Sequence, residues 1–202
     1  MRHAVALFYG LAFAVLGLHA EGFGPSVTVL LDFREAASAG SIGSMEREVR
    51  HLLAPAGLNV QLKLRSDVQP DESFDNLVLV RFQGNCAAQP DPMLIDERGP
   101  GPLALARTAE GQIQPFSEVA CDSVRRAVDS ALWGGQRNRR EELFGRALGR
   151  VVAHELVHIV GQTGKHAKTG VFTTSLTGSQ LIADGMTLDA ADAKLIRKSL
   201  TR

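Results

Sequence analysis

The chain has 202 residues, 22 Lys and Arg against 22 Asp and Glu, and a 45% hydrophobic content that is ordinary for one globular domain. A net charge of zero excludes the basic excess of a nucleic-acid binder. The one dense basic run, Arg137-Asn138-Arg139-Arg140, is answered at once by Glu141 and Glu142 and reads as a solvated helix start.

Residues 1–20 stand apart. Arg2 and His3 precede an uncharged apolar run over residues 4–18, followed by Leu18-His19-Ala20. That is the charged region, apolar core and small-residue cleavage site of a secretory signal peptide, and the run is short for a membrane span. The expectation is a signal peptide over 1–20 and one domain over 21–202, secreted to the cell exterior or periplasm and free of the membrane after cleavage. An uncleaved anchor is the alternative. Export makes a disulfide between Cys86 and Cys121, the only cysteines, the expected state, with two buried thiols as the alternative. Neither has a partner at CxxC spacing for zinc.

Residues 27–33 (VTVLLDF) form a β-branched apolar run that predicts a buried strand. Met45, Val49, Leu52 and Leu53 predict a helix over 44–54, ended by Pro55 and Gly57. Residues 59–65 alternate as a half-exposed strand, and 76–82 (NLVLVRF) form the most hydrophobic strand, expected to be central. Residues 84–102 are rich in Gly, Pro, Asn and Asp and read as a loop. Strands at 103–108 and 113–119 flank Ala-Glu-Gly-Gln, a hairpin signal. Helices are predicted over 121–133 and 138–160, the latter stopping at Gly161, and a last one over 188–200 follows a Gly/Thr/Ser-rich stretch. This order predicts an α+β domain with a mixed sheet of four to five strands backed by helices.

The chemistry lies in His154-Glu155-Leu156-Val157-His158. On a helix, positions i and i+4 stand on one face, so both imidazoles can address one ion, zinc above all. Glu155, one residue round, places a carboxylate beside water activated by that ion, where it can act as general base. Once the leader is removed, His154, His158 and His166 are three of the four remaining histidines. A third ligand could come from His166, Asp184, Asp189 or Asp192, since no glutamate follows Glu155. Gly161 and Gly164 favour His166, because they let the chain leave the helix and bend back. Asp189 reads as the start of the last helix, Asp192 as exposed and Asp184 as a turn residue.

His154-Glu155-x-x-His158-x-x-Gly161 followed by a further His resembles the metzincin metalloproteases, and the order of elements resembles their fold. The resemblance implies His154, His158 and His166 as ligands of one zinc per chain and Glu155 as general base. It also implies a methionine-containing turn beneath the metal. The strict third-ligand position is Gly164, two residues before His166, so the sequence is closer to short secreted bacterial proteins of the HExxH-x(7)-H type. In those a Gly-Leu-Met follows; here Gly170-Val171-Phe172 stands there, with Phe172 at the methionine position as an apolar floor and Met186 as a weaker substitute. The only tyrosine, Tyr9, lies in the leader, so none remains to assist catalysis.

The leading expectation is therefore a secreted zinc-dependent endopeptidase acting on peptide or protein substrates, with the 103–119 hairpin holding an extended substrate. A non-catalytic secreted zinc-binding domain is the second reading, and an interaction module with a chance motif the third.

Overall fold

The computed structural model describes residues 25–89 and 101–200. The expected signal peptide and most of the loop over 84–102 lie outside the described residues. Five strands, β1 (Ser26–Phe33), β2 (Asn59–Leu64), β3 (Leu77–Gln83), β4 (Ala104–Ala109) and β5 (Gln112–Ala120), form one mixed sheet ordered β2-β1-β3-β5-β4. β1, β2, β3 and β5 run parallel, and β4 pairs antiparallel with β5 at the edge. The hydrophobic β3 is central, as its composition predicted. Val78, Val80 and Phe82 are buried while Leu79, Arg81 and Gln83 are half-buried, so one face of the sheet is sealed more tightly than the other.

Helix α1 (Ala39–Leu53) is the crossover between β1 and β2. It starts five residues before the predicted position 44, because Ser38 Oγ caps it by accepting the Ser41 N–H at 3.2 Å. Gly40 and Gly43 weaken the helical pattern there and hid the start. Helices α2 (Cys121–Ala131) and α3 (Arg140–Gly161) follow the hairpin, and a 3₁₀ segment, Gly134–Arg139, leads into α3. Then come α4 (Gly178–Ile182), a short helix inside the Gly/Thr/Ser-rich stretch, and α5 (Ala190–Leu200). The signal for α4 was its capping box, Thr177 with Gln180.

The depth of α3 is set by two glycines. A Cβ at Gly145 would meet the Ser41 carbonyl oxygen at 2.3 Å, and one at Gly149 would meet the Met45 carbonyl oxygen and Glu48 Cβ at 2.7 Å each. Spaced by four, they lie on one face and let α3 rest on the backbone of α1. Arg150, almost fully buried on the next turn, pairs with Glu48 at 2.7 Å and donates to the carbonyls of Gln180 and Ala183. With Arg146, which donates to Ile182 and Ala183 carbonyls, it closes the end of α4.

The β4–β5 hairpin turns at Glu110 (φ 52°) and Gly111 (φ 76°), the positive pair that a tight hairpin needs. Ala106 faces Ser117 but Thr108 faces Ile113, so Arg107 lies opposite a bulge that contains Pro115. Proline has no N–H to give a ladder, which is why it falls there. A disulfide joins Cys86 to Cys121 across a Cα separation of 5.0 Å, tying the chain after β3 to the start of α2. Buried Arg125 braces this corner by donating to the Asn85 and Ala87 carbonyls at 3.0 and 3.3 Å. Among the described residues no helix is long and apolar enough to cross a membrane.

Candidate metal centre

The last turns of α3 carry His154, Glu155 and His158. His154 Nδ1 lies 3.0 Å from the Val171 carbonyl oxygen, and His158 Nδ1 lies 2.6 Å from that of Thr163. A carbonyl only accepts, so in both rings Nδ1 carries the proton and, while the imidazole is neutral, Nε2 presents a lone pair. Burial favours that neutral form. It pushes His154 down to about 4, against the Val171 hydrogen bond and with some help from the charges of His158 and His166, and it lowers His158 as well.

His166 completes the cluster. Its Nε2 lies 3.2 Å from His158 Nε2, which is itself 3.2 Å from His154 Nε2. Two inward-facing lone pairs, on His154 and His158, with a third ring nitrogen beside them, form a donor set that could hold a cation. Nitrogens at about 2.0–2.1 Å from a tetrahedral zinc stand about 3.3 Å apart, close to the two separations from His158. Among the described residues, these three histidines are the one group of metal-ligand type whose donor atoms converge.

The turn that returns His166 departs from the expected one. Gly161 is the last helical residue, packed under Leu195 of α5, and Gly164 has ordinary φ and open surroundings. The reversal is made by Gln162 in the left-handed region (φ 46°, ψ 47°), a costly conformation for a residue with a Cβ. Its side chain offsets that cost by donating to the Ile113 and Ile159 carbonyls at 3.0 and 2.7 Å. Ala167 then donates to the Phe172 carbonyl at 2.9 Å, fixing the chain just past His166.

The other candidate ligands go elsewhere. Asp184 is exposed in a turn before Gly185 and pairs with Arg146 at 2.7 Å. Asp189 caps α5, accepting the Ala191 N–H at 2.8 Å. Asp192, expected to be exposed, is half-buried, with one carboxylate oxygen making no hydrogen bond among the described residues.

Phe172 is the floor beneath the cluster, with its ring centroid 5.1, 4.6 and 5.3 Å from those of His154, His158 and His166. Met186 is a partly buried residue packed against the core. Gly170 is required just before Phe172: its φ is 76°, and a Cβ would meet the Thr187 carbonyl oxygen at 2.6 Å. That approach lets Val171 donate to Thr187 at 2.9 Å while its own carbonyl holds His154.

Glu155 is 5% exposed, and burial pushes its carboxyl up to about 7, against hydrogen bonds from Ser117 and the Ala106 backbone. A group so placed can hold or release a proton near neutrality. It borders a cleft of about 470 Å³ with His154, Leu103, Ala104, Val151 and Leu176 on its walls. Ser117, Gln162 and the carbonyls of Thr163 and Val171 were not read from the sequence. Only Ser117 left a trace, as a polar residue on the buried register of β5, alternating with Phe116 and Glu118.

No protein-family model matches the sequence, and no curated protein matches it. Among solved structures, archaemetzincin from Methanopyrus kandleri has a similar fold, with a TM-score of 0.52 and 12% identity over 92% of this chain and 99% of that one. At that identity the likeness is one of fold alone.

Proposed function

We propose that the protein is a zinc-dependent metallopeptidase that hydrolyses peptide bonds in peptide or protein substrates. The observation that carries this reading is the convergence of three imidazole Nε2 atoms beside a buried carboxylate at the wall of an apolar cleft. His154, His158 and His166 would hold one zinc, and the donor set fits it: three converging ring nitrogens, two of them with tautomers fixed by backbone carbonyls. Bound zinc supplies Lewis acidity, lowering the pKa of water towards about 7 and polarising a carbonyl.

The chain's own groups do the rest. Glu155 takes a proton from the attacking water at its carboxylate and returns it to the leaving amine, a task suited to a carboxyl whose burial raises its affinity for a proton. β4 lies at the sheet edge beside the cleft, and an extended substrate can add to it as a further strand. The apolar walls at Leu103, Val151 and Leu176 would take a side chain of that substrate. Export is part of the proposal: the signal-peptide pattern of residues 1–20 motivates it, and the disulfide supports an oxidising compartment.

The test is cleavage of a broad peptide library by the zinc-loaded protein and by Glu155→Gln. Cleavage by the parent, lost in the variant with zinc still bound, is the expected result. An equally active Glu155→Gln removes the mechanism. Zinc binding without any cleavage by the parent would favour the non-catalytic zinc domain, which Phe172 and the lack of tyrosine after Tyr9 speak for.

A further inference from the structure

We propose that Ser117 is a positioning residue for Glu155, fixing its carboxylate against the edge hairpin; this rests on Glu155 being the general base. Ser117 is fully buried on β5. Its Oγ lies 3.2 Å from Glu155 Oε2 and 3.2 Å from the Leu105 carbonyl oxygen of β4. The Ala106 backbone amide lies near enough to the same carboxyl to favour its charged form, and Ala106 faces Ser117 across the ladder. Both groups therefore come from one rung of the hairpin, beside the bulge that contains Pro115. Among the described residues no other side chain hydrogen-bonds to Glu155. Without that rung the carboxylate would be buried and free to choose among rotamers, at a large desolvation cost.

A hydroxyl suits the task because it has one proton and two lone pairs. Ser117 Oγ can donate to Glu155 Oε2, and the Leu105 carbonyl beside it keeps the hydroxyl in reach of both groups. The carboxylate thus has a partner fixed on the strand beside which substrate would lie. An alanine keeps the strand and loses this hold.

The experiment uses the zinc-loaded full-length protein with Ser117→Ala, Ser117→Thr and Glu155→Gln. Peptide kinetics, zinc content and a crystal structure of each variant are read together. For Ser117→Ala we expect kcat to fall roughly 10- to 100-fold with KM and zinc content unchanged. Its Glu155 side chain should leave the Ala106 N–H or occupy two rotamers, and Ser117→Thr should restore most of kcat. If the alanine variant does not fold, Ser117→Cys keeps the volume with a weak donor and should still be slowed. A kcat within about two-fold of the parent in Ser117→Ala or Ser117→Cys, with Glu155 unmoved, overturns the proposal. An active Glu155→Gln would instead overturn the general-base reading, so the two failures are distinguishable.

Discussion

At the scale of single residues, the zinc reading rests on proton placement. Two backbone carbonyls, from Thr163 and Val171, force Nδ1–H on His158 and His154 and leave both Nε2 atoms facing inward. The spacing of His154, Glu155 and His158 was legible because a helix repeats at short range. The carbonyls that orient them come from chain beyond the helix, where no periodicity applies. Phe172 was legible as a floor only through the resemblance, because it stands where a methionine is expected. Truncation to alanine is expected to cost about 3–5 kcal/mol and to loosen the ligand cluster, whereas Phe172→Met should cost under about 1.5 kcal/mol and keep zinc. Urea unfolding with a zinc titration checks both. Asp192 supplies a pH test. Burial, and then the charge of Asp189, raise its pKa, so the folded protein binds that proton more tightly than the unfolded chain. Its stabilising effect is thus present below the ordinary value of 3.8 and is lost as pH rises through the raised one. Asp192→Asn is expected to raise Tm at neutral pH and to leave it unchanged at about pH 3; the opposite pattern would contradict this burial.

At the scale of elements, the strands and the long helix followed from hydrophobic runs and alternation. Two errors share a cause. The glycines at 161 and 164 suggested a hinge, yet the reversal falls on Gln162, because its amide can reach the Ile113 carbonyl on the hairpin. The start of α1 was missed because Gly40 and Gly43 looked unhelical. In both cases a specific side-chain hydrogen bond, local at Ser38 and long-range at Gln162, outweighed backbone propensity. Packing does the same at Gly145 and Gly149 in α3, where alanine would ordinarily gain about 1 kcal/mol of helix propensity. At Gly149 the added Cβ would stand 2.7 Å from the α1 backbone, so Gly149→Ala is expected to destabilise by about 1–3 kcal/mol. At Gly43 the nearest atom is the mobile end of Arg47 at 3.4 Å, and Gly43→Ala should be neutral or stabilising. Equal effects at the two sites, measured by denaturant midpoint, would count against this account of the crossing.

At the scale of the whole molecule, the sheet, the α1–α3 layer and the disulfide-tied corner serve to bring the end of α3, the edge hairpin and the 166–172 turn to one place. The α+β class was legible from the order of elements, and archaemetzincin has a similar fold at 12% identity. The parallel pairing order and the position of the cleft were not legible, since both depend on contacts between distant segments. The central claim is that three histidines, one of them displaced by two residues from the strict metzincin position, hold one zinc. Zinc binding by calorimetry, on the parent and on His166→Ala, tests it most directly. One zinc per chain in the parent, bound at least about 100-fold more weakly in the variant, is the expected result. A variant that binds zinc as tightly as the parent, or a parent that binds none, would contradict it.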